Sequence, residues 1–187
     1  MDLNALMGTL LGSDSIESIS KLSGASEDEV KKVLGSAMPK MLSGAQDQAT
    51  DEKTAEGFAK ALSDHAQADT SDVRGFLSSV DQVDGAKIVA HLLSSLGSGS
   101  QGSTQVLQSA ASSSGLKPGQ VAQILAIAAP LLMSLLGKQD GKEDQSVGVG
   151  GLMGALLGKT DTASLVQTLL FGKKKRKGLL GLLLGGK

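Results

Sequence analysis

Apolar residues recur at helical spacing along most of the chain, while the strict alternation that is typical of half-buried strands is nearly absent. After Ser26, the apolar positions from Val30 to Leu42 lie on one face of a helix, and Lys31 and Lys32 lie opposite. The pattern predicts an all-α fold. Further helices are predicted over Asp2–Leu11, Asp14–Leu22, Asp51–Ala66, Ser71–Val80, Gly85–Leu96, Ser103–Ser112, Val121–Leu136, Gly151–Leu157 and Thr162–Phe171.

Three sites carry signals for the start of a helix. Asp14 with Glu17, and Ser26 with Glu29, have the spacing of a capping box, in which each side chain accepts a hydrogen bond from the other residue's backbone amide. Pro118 precedes the apolar run and is expected at the first helical position, where its missing N–H costs nothing.

Some segments of the chain copy one another. Leu6–Gly12 returns as Leu152–Gly158 with one difference, and a second set of residues recurs 91 positions later. Repetition of this kind is typical of a helical packing unit that is used more than once. The second set is Ser23, Gly24, Val30, Leu34, Ala37, Pro39 and Ser43, which return as Ser114, Gly115, Val121, Leu125, Ala128, Pro130 and Ser134.

The repeats divide the chain into four parts. We assign a first helical repeat to residues 1–80, a second to 81–140, a partial third copy of the N-terminal unit to 141–172, and a tail to 173–187. Flexible polar linkers are predicted at Gly97–Gly102 and at Gly141–Gly150.

The predicted helix Val121–Leu136 is apolar on nearly all sides, so it must be surrounded either by its own domain or by another subunit. Glycines four residues apart recur after it and permit close approach of helix backbones. We assign these features and the tail leucines to contact between copies of the chain. The residues assigned to self-association are Leu131, Leu132, Leu135, Gly150, Gly154, Gly158, Leu179, Leu180, Leu182 and Leu183.

The composition narrows the class of protein. At 187 residues the chain suits one domain or two small ones, and its core must be aliphatic because only three residues are aromatic. The absence of cysteine excludes disulfides and thiolate metal sites and fits a cytoplasmic protein. No leader is expected at the N-terminus, and the apolar run Ile124–Leu136 is shorter than the roughly 20 residues of a membrane span.

Charge is distributed unevenly. All 19 acidic residues lie before position 173 together with 12 basic ones, and the last fifteen residues carry the other six basic residues. Such a tail predicts contact either with an anionic membrane surface or with the acidic body of another copy, and both remain open. The residues assigned to this contact are Lys173, Lys174, Lys175, Arg176 and Lys177.

Two glycine motifs do not fit nucleotide binding. The spacing of the glycines in Gly97–Gly102 matches a dinucleotide-binding loop, but a predicted helix precedes it where that loop requires a strand. Gly158-Lys159-Thr160 ends like a phosphate loop, yet the earlier glycine is one residue out of register. We therefore expect no cofactor.

His91 is the remaining candidate for chemistry, since it lies on a predicted helix with Asp84 and Lys87 one to two turns earlier. No second histidine or cysteine is near it in the sequence, so we expect no metal ion and no catalytic residue. A small-molecule-binding or enzymatic module around His91 is kept as an alternative.

Ile19–Glu29 has the order of a helix-turn-helix motif, with a glycine turn before a capped second helix. Glu27, Asp28 and Glu29 occupy the start of that second helix and would repel phosphates. Sequence-specific DNA is therefore not an expected partner.

Several short sequence segments, taken together, resemble the bacterial family of unknown function that is typified by YidB (DUF937). The resemblance covers about residues 1–158 and implies an all-helical, duplicated, homeodomain-like fold without a known activity. It does not extend to the residues from Lys159 onward. These segments are Met1-Asp2-Leu3 with Leu10-Leu11-Gly12, Ser23-Gly24-Ala25-Ser26, Met38-Pro39, the residues from Asp84 to Leu93, and Ala128-Ala129-Pro130-Leu131.

These observations favour a non-enzymatic, cytoplasmic protein that associates with itself into a homo-oligomer or filament. Leu6–Leu22 has a near copy in Leu152–Leu169, so one copy of this unit can occupy, on a neighbour, the place of the other. The first alternative is a peripheral membrane protein that uses the basic, leucine-rich tail, and the second is the module around His91.

Overall fold

The computed structural model describes residues 3–96 and 100–140, and within them the side chains of residues 6–96 and 101–138. The regular structure of these residues is entirely helical, which confirms the predicted all-α class. In chain order the helices are α1 (Leu3–Leu10), α2 (Ser13–Ser23), α3 (Glu27–Thr50), α4 (Ala55–Ala66), α5 (Val73–Ser78), α6 (Gln82–Ser94), α7 (Ser100–Ser114) and α8 (Pro118–Asp140).

Most predicted helices are confirmed with shifted ends. The linker predicted at Gly97–Gly102 is wrong in its second half, because α7 begins at Ser100 and Gly102 is buried within it. The predicted helices Gly151–Leu157 and Thr162–Phe171 and the linker Gly141–Gly150 lie outside the described residues.

One of the two predicted capping boxes is confirmed. The Ser26 hydroxyl accepts a hydrogen bond from the Glu29 amide, and the Glu29 carboxylate accepts one from the Ser26 amide at 2.7 Å. The box predicted at Asp14 and Glu17 is wrong. The helix α2 follows Gly12, so Asp14 already lies within its first turn, where its carboxylate contacts a side chain on another helix instead of a free amide.

The turns before α3 and α8 have the same backbone geometry. Gly24 and Gly115 are the two described glycines with positive φ, at 73° and 81°. Each follows a helix and donates its amide to the carbonyl four residues earlier, at 2.9 Å in both cases. A left-handed residue at this position ends a helix without the steric cost that a side chain would add, which explains why glycine recurs there.

The helix α8 is the centre of the fold, since it contacts each of the other seven described helices. Between Val121 and Leu136 its residues are buried except for the partly exposed Ala122 and Gln123. Leu131 and Leu132 are 0% exposed and Leu135 is 2% exposed. The apolar pattern of this helix is therefore explained by burial inside its own chain, and these three leucines are not exposed to a second copy.

By length and composition, Pro118–Lys138 is the described helix that could cross a membrane, with a mean hydropathy of 1.8. The expectation that this region is too short for a span does not hold for the whole helix, because its apolar character extends beyond Ile124–Leu136. However, 78% of its most apolar window is buried against the other helices. That burial is typical of a core helix.

The helix α3, whose sequence matches that of α8 at a spacing of 91 residues, keeps one side exposed. Lys40 on α3 corresponds to Leu131 on α8, and it is exposed while the leucine is fully buried. Its neighbour Ser36 corresponds in the same way to the buried Ile127. At these positions α3 has polar residues and α8 has apolar ones, because other helices cover α8 there and leave α3 exposed to solvent.

Candidate functional site

The N-terminal helix covers a surface formed by α2 and α8, which we call the α1-binding surface. Four side chains of this region are buried there. Leu6, Met7 and Leu10 are 0% exposed and Leu11 is 7% exposed. Gly8 is exposed and Thr9 is partly exposed, so the solvent-facing side of the helix is distinct from the buried side.

A buried hydrogen bond joins α1 to α2. The Ser15 hydroxyl, which is fully buried, donates to the carbonyl oxygen of Thr9 at 2.6 Å. Because the acceptor is a backbone atom, any residue at position 9 can supply it. The bond orients the helix and does not itself require a particular side chain at position 9.

The second copy of the sequence Leu6–Gly12, Leu152–Gly158, lies outside the described residues, but it can be compared with the environment of the first. The four buried residues of the first copy, Leu6, Met7 and Leu10 of α1 and the following Leu11, are each repeated without change. The single difference replaces Thr9, which is partly exposed, by Ala155. The copy therefore keeps each of the four described side chains that are buried on the α1-binding surface.

The other residues assigned to association lie outside the described part of the chain. They are Gly150, Gly154, Gly158, Leu179, Leu180, Leu182 and Leu183, and the basic residues Lys173, Lys174, Lys175, Arg176 and Lys177.

The structure does not join Asp84, Lys87 and His91 into a catalytic group. Asp84 faces His65 on α4, with 3.8 Å between the carboxylate Oδ2 and the imidazole Nε2. His91 and Lys87 are both exposed, and neither side chain forms a hydrogen bond or an ion pair with a described residue. Within the described residues, no group of three or more histidine, aspartate or glutamate side chains could hold a metal ion.

His91 nevertheless borders a cavity of about 360 Å³, which we call the His91 groove. It lies where α4 and α6 meet α8 and the end of α3. Its floor is apolar and combines residues that are far apart in the sequence, so no local pattern could have predicted it. The lining residues are Gln48, Lys53, Thr54, Gly57, Phe58, Ala61, Ile88, His91, Leu92 and Met133.

Two of the four polar residues that line the groove are already engaged. The Gln48 side-chain amide donates to the carbonyl of His91 at 3.1 Å, and the Thr54 hydroxyl donates to the carbonyl of Gln48 at 2.9 Å. The Lys53 ammonium and the His91 imidazole have no partner among the described residues. No acidic residue lines the groove.

A separate acidic cluster lies on α2, where Arg74 from α5 donates to Asp14 and Glu17 at 2.8 Å each. The pKa of Glu17 is held below its ordinary value, first by the hydrogen bond from Lys21 and then by the positive charge of Arg74. These groups are exposed, so the cluster orients α5 against α2 and contributes little to stability.

The comparison with protein families gives a match to the model described as "Bacterial protein of unknown function (DUF937)", over residues 5–139. No curated protein and no solved structure matches significantly. The matched range reaches from α1 to the end of α8 and covers well over half of the chain. It confirms the resemblance found in the sequence, and the chain belongs to the DUF937 family of bacterial proteins of unknown function.

Proposed function

We propose that the protein is a non-enzymatic, self-associating cytoplasmic protein in which Leu152–Gly158 of one copy occupies the α1-binding surface of another. The observation that carries the proposal is the identity of the buried residues. Leu6, Met7 and Leu10 of α1 and the following Leu11 are buried, and all four are repeated in the second segment. A surface that accepts the first segment accepts the second for the same physical reason, since both present one apolar face.

The helix α1 is attached weakly enough to be replaced. Burying its four large side chains contributes roughly 6–12 kcal/mol. Fixing the backbone of its eight residues costs about 8–16 kcal/mol. The two contributions nearly cancel, and short terminal helices are the parts of a fold that open most readily.

The second segment can reach the surface of its own chain or of a neighbour. It begins twelve residues after Asp140, and twelve extended residues span about 40 Å. This reach exceeds the length of α8, which has 23 residues and is about 34 Å long. An exchange between copies preserves the buried contacts, so its cost is low and protein concentration determines how much of it occurs.

The duplicated architecture is part of the same proposal. The helix–glycine–helix units α2–α3 and α7–α8 share their left-handed glycines, and their contacts are reciprocal, because α2 packs on α8 while α7 packs on α3. These features support a duplicated, homeodomain-like unit whose N-terminal helix is present a further time near the C-terminus. We propose packing, and not DNA recognition, as the role of the unit, since Glu27 and Asp28 are exposed at the start of α3.

Sedimentation velocity of the full chain with matched variants tests the proposal. We expect the wild type to form species heavier than 18.9 kDa as concentration rises. Leu156→Asp places a charge at the equivalent of the fully buried Leu10 and should abolish these species. Ala155→Asp adds the same charge at the equivalent of the partly exposed Thr9 and should retain them. A wild type that stays monomeric, or two variants that behave alike, would contradict the proposal.

The basic tail gives a second candidate function, peripheral attachment to an anionic membrane. Its support is the charge of Lys173–Lys177 next to five leucines, which is worth on the order of 5 kcal/mol of attraction on an anionic surface. Its competitor is the body of another copy, since the described residues from 3 to 140 carry 15 acidic and 10 basic side chains. Flotation with anionic but not with neutral vesicles would favour the membrane.

A further inference from the structure

We propose that the His91 groove binds a small amphipathic carboxylate, a molecule with an alkyl or similarly apolar body and one terminal acid group. The volume of the groove, about 360 Å³, lies at the lower end of the range for small-molecule sites. A pocket of this kind needs an apolar wall and a few polar groups that fix the orientation of the ligand.

The apolar wall is supplied by three helices. Phe58 and Ala61 come from α4, Ile88 and Leu92 from α6, and Met133 from α8. Ile88, Leu92 and Met133 are part of the buried core, so this wall is fixed by the packing of the whole fold. An alkyl chain placed against it removes apolar surface from water.

The charge of the lining selects the head group. Lys53, in the turn between α3 and α4, and His91, on α6, both line the groove. The Lys53 ammonium has no counter-ion among the described residues, and the lining contains no carboxylate. The Gln48 and Thr54 side chains each donate to a backbone carbonyl, whereas Lys53 and His91 have no partner among the described residues. An anion is therefore favoured, and a carboxylate forms charge-assisted hydrogen bonds with such donors.

The basic tail of the chain is a poorer occupant than a carboxylate. Its leucines would suit the apolar wall, but Lys173–Lys177 would bring five positive charges towards Lys53. Like charges at close range are unfavourable. The groove and the tail are thus matched in hydrophobicity and mismatched in charge.

Titration of the full-length, ¹⁵N-labelled protein with octanoate tests the inference, with 1-octanol as the probe that has the same chain and no charge. We expect saturable shifts confined to amides of the groove, including Gly57, Ile88 and Leu92, and an affinity for octanoate about fivefold higher than for 1-octanol. Lys53→Gln should weaken octanoate binding about fivefold and leave 1-octanol binding unchanged. Lys40→Gln is the matched control, since Lys40 lines a separate cavity beside α7, and it should bind octanoate as the wild type does.

A second variant separates groove binding from adsorption of a surfactant. Gly57 lines the groove, and a Cβ atom there would meet no other atom within 4 Å, so we expect the leucine of Gly57→Leu to be accommodated and to occupy space in the groove. It should abolish binding of both probes while the far-UV circular dichroism is unchanged, and Gly119→Leu, another open helical position outside the groove, should not. Shifts that are scattered over the surface, absent, or insensitive to Gly57→Leu would overturn the inference. Equal affinities for octanoate and 1-octanol would overturn the carboxylate as the ligand class.

Discussion

Gly85 on α6 lies directly against the backbone carbonyl of Ala126 on α8, so that a methyl group added at Gly85 would overlap the carbonyl oxygen. The same relationship joins Gly44 on α3 to Leu92 on α6, and Gly137 on α8 to Leu62 on α4. Three glycines thus set the distances between the central helices. These crossings also frame the His91 groove, which lies between the same elements.

Gly85→Ala should destabilise the fold, because the new methyl group meets backbone that cannot rotate away. We expect a loss of about 1–3 kcal/mol in the free energy of unfolding, even though alanine is the better helix former. Urea denaturation followed by circular dichroism at 222 nm measures it.

Gly57→Ala is the matched control for this change, since it lies within α4 with open space around the added atom. It should stabilise the protein by about 0.5–1 kcal/mol through helix propensity alone. If both alanine variants were stabilised, the close approach of α6 and α8 would be refuted.

Lys117→Ser should stabilise α8 by completing a capping box. Lys117 and Gln120 lie 91 positions after Ser26 and Glu29, and half of the box is present, since Gln120 accepts a hydrogen bond from the Lys117 amide at 3.2 Å. A serine at 117 adds the missing side-chain acceptor and removes a positive charge from a helix N-terminus. The expected gain is about 0.5–1 kcal/mol in thermal or urea unfolding.

Lys117→Ala removes the same charge without supplying an acceptor, and it should give the smaller gain of the two. Conversely, Ser26→Ala should cost about 1 kcal/mol. Equal stability of the serine and alanine variants at position 117 would show that the cap contributes nothing there.

The stability of the protein should fall in acid, in part through Glu29. Hydrogen bonds from the Ser26 amide and then from its hydroxyl lower the pKa of Glu29 below its ordinary value of 4.5. A carboxyl group with a lowered pKa in the folded state stabilises the fold above its ordinary pKa, and this contribution is lost as the pH falls through the lowered value. The melting temperature should therefore drop between about pH 6 and about pH 3.

Glu29→Gln should make that drop shallower, because an amide still accepts from the Ser26 backbone, as Gln120 does from Lys117, but does not titrate. Glu52→Gln is the control, since Glu52 is exposed and forms no ion pair or hydrogen bond with a described residue. An identical acid slope for the wild type and Glu29→Gln would exclude this source of acid sensitivity.

The fold class and most helix positions were predictable because each depends on local chemistry. Ser26 with Glu29, Gly24, Gly115 and Pro118 mark helix ends by short-range hydrogen bonds and backbone geometry. The capping box predicted at Asp14 and Glu17 was wrong because these side chains contact a residue that is distant in the sequence. Spacing alone does not tell whether a carboxylate binds a free amide or a distant side chain such as Arg74.

The candidate sites were less predictable, since they depend on which helices meet. The apolar sequence of Val121–Leu136 is the same whether a neighbouring helix or a neighbouring molecule covers it, and the packing assigns it to the chain's own core. His91 was singled out as a candidate for chemistry together with Asp84, but the Asp84 carboxylate instead lies 3.8 Å from the imidazole of His65 on α4. The groove beside it joins residues 85 positions apart, from Gln48 to Met133.

The most direct test of the central claim is a cross-link between two copies at the α1-binding surface. The chain has no cysteine, so two variants with one cysteine each can be mixed, Ala155→Cys in one copy and Ser13→Cys in the other. If residue 155 takes the place of Thr9, it lies close to the start of α2, because the Thr9 carbonyl is 3.4 Å from the Gly12 amide, and a short thiol cross-linker should join it to the exposed position 13 of the other chain. A third variant that carries both cysteines in one chain serves as the control. No cross-linked product in the mixture, whether or not the control forms one within its own chain, would contradict exchange of this segment between copies.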